Sequence, residues 1–145
     1  MKPLAAGLVL ALSAATCATS PDPRGEWTGY LLPPFDAIPI GLEITGVEGG
    51  ALTGFFLAPD VGYPSIPLGD LSLAGDTLVA TLADPLSWVA FRGRLSGDLY
   101  EGEFDEAGGS TPFALARAGS DAARALEARA AAQRAAADAP DAYAP

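Results

Sequence analysis

The sequence predicts an all-β domain: a small antiparallel up-and-down β-barrel of about eight strands, followed by an Ala-rich helix. Three observations carry this. Between Gly25 and Arg117 the chain is a series of short strand-like segments with Gly and Pro punctuation. No helical crossover separates them, so neighbouring strands have to run antiparallel. The segments also follow one another at hairpin spacing, so a single sheet can close on itself and remove its exposed edges. An open sandwich of the same strands is the alternative.

Eight strands are expected, over residues 26–32, 39–45, 51–57, 66–73, 77–83, 87–95, 99–105 and 111–117. Pro33-Pro34 breaks the first from the second. Glu48-Gly49-Gly50, Gly75-Asp76, Ser96-Gly97-Asp98 and Gly108-Gly109-Ser110 have the composition of tight hairpin turns. Alternation is clearest late in the chain. Tyr100, Gly102 and Phe104 share one face of their strand, and Glu101, Glu103 and Asp105 share the other. Phe113, Leu115 and Arg117 fall on one face of the last strand, as Trp27, Gly29 and Leu31 do on the first. Phe55-Phe56-Leu57 and Trp88-Val89-Ala90-Phe91 are apolar on both faces, which predicts strands covered on both sides.

After Gly119 the composition changes. Ser120 suits an N-cap and Asp121 a first turn, and the Ala-rich run to Ala137 is a strong helix former. Its largest apolar residue is Leu126, so the expectation is an exposed helix with little to dock, dispensable for folding. Residues 139–145 are expected to be disordered. The barrel is assigned to residues 25–117 and the helical segment to 118–138.

The start of the chain reads as an export signal over residues 1–17, then a tether over 18–24. Lys2 supplies the positive end, Leu4 to Leu12 is an apolar run too short to span a bilayer, and small residues follow. Cys17 is the only cysteine and sits where a bacterial lipoprotein carries its lipidated residue. The surrounding motif is partial, with Ala14 three places before the Cys and Thr16 just before it, and ordinary cleavage near Cys17 or Ala18 is the competing route. Either way the expected location is the periplasm or cell envelope, with membrane contact only through a lipid on Cys17.

Composition removes much chemistry. The chain has no histidine, and its one lysine is Lys2. Ser-His-Asp and Cys-His catalysis, His-ligated zinc and lysine nucleophiles are therefore absent from the barrel. No phosphate-binding glycine loop is present. The net charge of −10 disfavours nucleic acid and anionic lipid. Glu101, Glu103, Asp105 and Glu106 could be read as an acid pair or a calcium site. Catalytic carboxylates need an apolar pocket, however, and the calcium-loop spacing is missing. Their alternation with Gly102 and Phe104 instead describes the wet face of a strand. No catalytic residue, metal or cofactor is assigned.

Trp27 and Arg117 are the more informative pair. In a closed barrel the first and last strands are neighbours, and an Arg over an indole would close one end by a cation–π contact. Gly25, Trp27 and Arg117 together resemble the calycin superfamily, which includes the lipocalins. A longer pattern is similar to a small bacterial lipocalin-like β-domain, found ahead of exported serine hydrolases and in stand-alone envelope proteins. It runs through Gly29, Leu31, Leu42, Ile44, Gly54, Ile66, Pro67, Phe91, Gly93, Leu95, Gly102, Phe104, Pro112, Phe113 and Leu115. That resemblance implies an accessory barrel with no established activity. Two non-enzymatic readings follow. The barrel holds a small apolar ligand, lined by Trp27, Leu42, Ile44, Phe56, Phe91, Tyr100 and Phe104, or its interior is filled and it serves as a structural or interaction module. The short strands favour the filled interior.

Overall fold

A computed structural model describes residues 20–32, 36–47, 49–83 and 88–139. The leader with Cys17, the Pro33-Pro34 break, Glu48 and the tail from residue 140 lie outside the described residues. Eight strands follow in chain order: β1 (Gly25–Leu31), β2 (Ile38–Gly46), β3 (Leu52–Ala58), β4 (Tyr63–Ala74), β5 (Thr77–Leu82), β6 (Val89–Ser96), β7 (Leu99–Glu106) and β8 (Gly109–Arg117). A 3-10 turn (Pro59–Val61) joins β3 to β4, and helix α1 (Asp121–Asp138) follows β8. Each strand pairs antiparallel with the next, and β8 pairs with β1. The result is a closed up-and-down barrel.

The period-2 pattern decides which face turns inward. In β6, Val89, Phe91, Gly93 and Leu95 are buried, while Arg92, Arg94 and Ser96 are exposed. In β7, Tyr100 and Phe104 are buried and Glu101 and Glu103 are exposed. The register then sets Arg92 opposite Glu103 and Arg94 opposite Glu101 on the outer surface. Opposite charges directly across a pair of strands stabilise that register.

Tight closure depends on glycine where strands bend over the core. Gly93 and Gly102 face each other across β6 and β7. A Cβ on Gly102 would lie 2.0 Å from the Arg92 carbonyl oxygen, and one on Gly93 would lie 2.3 Å from that of Glu101. No side chain fits there, and the Phe113 ring occupies the space above Gly93. The β6–β7 hairpin turns at Gly97, whose φ of 59° is left-handed and favours glycine.

The strands lie within one to three residues of their predicted bounds. The largest difference is β4, which begins at Tyr63 because the chain re-enters pairing opposite Ala58 directly after the 3-10 turn, with a register shift beside it. Two expectations fail. Phe55 and Trp88 are exposed on the outside, at 43% and 62%. The failure is confined to these two side chains: Ala90, on the outward face of β6, is buried, and the outer face of β8 and β1 is covered.

The cover is α1, so the reading of an undocked helix is wrong. Ser120 caps it by accepting a hydrogen bond from the Ala123 backbone N–H at 3.1 Å. Leu126 and Ala130, one turn apart, are buried. Leu126 meets the outward face of β8, where Ala114 and Ala116 are almost fully buried, with Leu32, Leu99, Ala122 and Ala123 packed around them. The physical reason is size matching. A strand face of alanines lets the helix backbone approach closely, so alanines on both sides bury area that neither would bury alone. Arg134 adds a contact to the Tyr30 ring, 6.0 Å from its centroid.

This docking has a measurable consequence. Ending the chain after Gly119 should leave a β-dominated circular dichroism spectrum and lower the unfolding free energy by about 2 kcal/mol, the worth of one buried Leu side chain. A change within about 0.5 kcal/mol, the ordinary surface effect, would contradict the packing.

Candidate functional site

One end of the barrel is built around Trp27. Its register partner on β8 is Arg117, and the guanidinium lies over the indole at 4.5 Å from the ring centroid. Trp27 is fully buried, and its Nε1–H donates to the Pro23 carbonyl at 2.8 Å. Arg117 does more than stack. It donates from Nη1 to the Arg24 carbonyl at 2.6 Å and from Nη2 to the Asp22 carbonyl at 2.8 Å. Its Nε sits 3.3 Å from Asp98 on the β6–β7 turn. Residues 22–24 thus form a strap across this end, held from below by one Trp and one Arg. The Asp22 carboxylate accepts from the Arg24 guanidinium and backbone N–H, which holds its pKa well below the usual carboxylate range.

The residues expected to line the interior are brought together by the fold, and they touch one another. Leu42 is opposite both Trp27 and Phe56, and Ile44 is opposite Gly54. The Phe91 ring lies 5.5 Å from Phe56, 4.8 Å from Phe104 and 5.2 Å from Phe113. Tyr100 lies 4.8 Å from Phe113 and 6.4 Å from Trp27. These separations are those of packed aromatic pairs. The Tyr100 hydroxyl donates to the Leu78 carbonyl at 2.9 Å, and burial pushes its pKa well above the ordinary phenol value. Phe113 was absent from the predicted lining although it stands at the centre of the cluster. Its inward facing was legible from the alternation with Leu115, but its position over Gly93 was not.

The acidic run of β7 does not converge. Glu101 and Glu103 are on the exposed face, and the Ser110 hydroxyl donates to Glu103 at 2.9 Å. Among the described residues no three acidic, His or Cys side chains gather where a metal ion could be held.

One concave feature of the outer surface is a groove of about 450 Å³ between α1 and the faces of β1, β2 and β3. Thr28, Tyr30 and Gly41 form its floor, Leu57 and Pro59 one wall, and Ala123 and Glu127 of the helix the other. Nothing in the strand periodicity signals it, because it exists only once the helix has docked.

The chain matches no protein-family model, no curated protein and no solved structure.

Two outcomes follow for the strapped end and the core. Trp27→Ala should cost about 3–5 kcal/mol as a large-to-small core change. Arg117→Ala should cost about 2 kcal/mol, from the lost cation–π contact and charged hydrogen bonds. A denaturant-based double-mutant cycle should return a coupling of at least about 0.5 kcal/mol, and strict additivity would show that the two do not act together.

The pH profile should fall off on both sides. A carboxyl whose folded pKa is depressed contributes stability above its unfolded value, about 3.9, and loses it as pH falls toward the folded value. Asp22→Asn should therefore blunt the acid limb. Tyr100 has a raised folded pKa, so its contribution is complete below about pH 10 and is lost as pH rises above it. Tyr100→Phe should flatten the alkaline limb of a thermal-melt titration.

Proposed function

We propose that this chain is an exported, non-enzymatic β-barrel module of the bacterial cell envelope, akin to the small lipocalin-like domains, which acts through its outer surface. The observation that carries this reading is the filled interior. The side chains that would line a ligand cavity instead pack on one another around Phe91, at 4.8 to 5.5 Å between ring centroids. Eight-stranded barrels are just wide enough for such filling. The Gly25, Trp27 and Arg117 arrangement supports the lipocalin-like kinship, because the two ends of the barrel sequence meet as a Trp–Arg closure.

The absence of histidine and the confinement of lysine to Lys2 support the non-enzymatic part of the reading. Glu101 and Glu103 of β7 lie on the exposed face of the strand, not in the apolar pocket that a paired acid and base needs. Export rests on the Lys2 and Leu4–Leu12 pattern, and anchoring on Cys17.

Native mass spectrometry of the protein drawn from its own envelope fraction tests the reading. The expected mass is that of the processed polypeptide without a retained small molecule. A retained apolar ligand, lost when Phe91 is replaced, would replace this reading with an interior binding site. The same intact mass separates the two maturation routes, since a lipid on Cys17 adds acyl mass and ordinary cleavage leaves an unmodified N-terminus.

A further inference from the structure

We infer that the outer face of β1, β2 and β3 beside α1 binds an amphipathic cation, with its apolar body in the groove and its ammonium on a row of carboxylates at the foot of the groove. The inference deepens the outer-surface reading and rests on the barrel interior being filled.

The groove is formed by the register. Thr28, Gly41 and Leu57 lie side by side across β1, β2 and β3. Gly41 has no side chain, so the middle of that row is a depression between its neighbours. Tyr30 and Pro39 pair one row further on, and Pro59 follows β3 beyond them. At about 450 Å³ the groove falls within the range of small-molecule sites. Its walls are mainly apolar, which suits a hydrocarbon or aromatic body.

Carboxylates flank it on the strands and on the helix, while Arg134 of α1 rests over the Tyr30 ring. One row toward the strapped end, about 7 Å along the strands, Glu26 is directly opposite Glu43, and both are exposed. Like charges placed directly across two strands repel and destabilise the pair. The next residue in that row is Phe55, the exposed aromatic that the fold leaves uncovered. A third carboxylate, Glu127, stands on the helical wall. The one basic side chain of the groove, Arg124, is already engaged by Asp121 and by the Gly119 carbonyl. An ammonium placed here would relieve the Glu26–Glu43 repulsion and lie beside an aromatic face. The net charge of −10 draws cations toward the surface in general. Among the described residues no three acidic, His or Cys side chains gather to hold a metal ion, whereas an extended ligand can span the groove and reach the row below it.

The test uses three probes of one chain length, n-octylammonium, n-octanoate and neutral octanol, titrated below micelle formation into the isotopically labelled protein and followed by NMR. Octylammonium should shift Thr28, Tyr30, Gly41 and Leu57, and should bind at least about fivefold more tightly than octanoate, the effect of roughly 1 kcal/mol of charge interaction. Replacing both Glu26→Gln and Glu43→Gln should abolish that preference while raising thermal stability, because the repulsion is gone. This variant therefore cannot fail by unfolding. Gly41→Val should block all three probes by filling the depression; because a Cβ there would lie 3.0 Å from the Trp27 carbonyl oxygen and 3.6 Å from Leu57, its melting temperature is measured alongside to separate a filled groove from a strained β1–β2 pair. The inference is overturned if octylammonium does not bind at millimolar concentration, if octanoate binds equally well, or if Gly41→Val leaves binding unchanged. Shifts centred on Phe91 and Phe104 would overturn it together with the filled-interior reading. Absence of binding would leave that reading standing.

Discussion

The pairing of β1 with β8 is the interaction on which the rest of the structure depends. It joins residues ninety positions apart in the chain, and it is the step that turns a meander of hairpins into a barrel with no free edge. Arg117 concentrates that closure at one residue. Its backbone belongs to the last rung of the sheet, and its guanidinium covers Trp27 and holds the carbonyls of residues 22 and 24. The Arg117 carbonyl then accepts from the Ser120 N–H, which begins the turn into the helix. Strap, closure and helix start are therefore mechanically continuous.

Closure also sets the size of the interior. With eight strands, the space inside is about that of the side chains that point into it. The aromatic residues take most of it, and the glycines opposite them let the strands bend close enough to leave little empty. Gly93 and Gly102 pass so near their neighbours' carbonyls that a side chain on either would force the sheet apart. A barrel built this way has a core of aromatic side chains in mutual contact, and on its outside the docked helix raises one wall of a groove.

The outer surface is correspondingly uneven. On β6 and β7, opposite charges stand across from each other in the register, Arg94 pairs with Asp76, and Glu103 accepts from the Ser110 hydroxyl. On β1 and β2, Glu26 and Glu43 stand opposite each other with an exposed aromatic beside them. The first arrangement is that of a solvated face. The second raises the local energy of the free protein, and a positively charged ligand would lower it.

Much of the fold was legible because it rests on local chemistry. Alternation in the Tyr100 to Asp105 stretch, Gly-containing turns between strand segments and the absence of a crossover specify antiparallel hairpins before any contact is known. The meeting of Trp27 with Arg117 was legible as well, since closure makes the first and last strands neighbours. Tertiary structure decided what depends on partners distant in sequence. An Ala-rich helix with one Leu has no visible reason to dock until Ala114 and Ala116 are seen facing it at close range. The strap, the place of Phe113 over Gly93, and the like-charge row beside the groove arise from register between strands. Register is a property of pairs, so no single segment of sequence contains it.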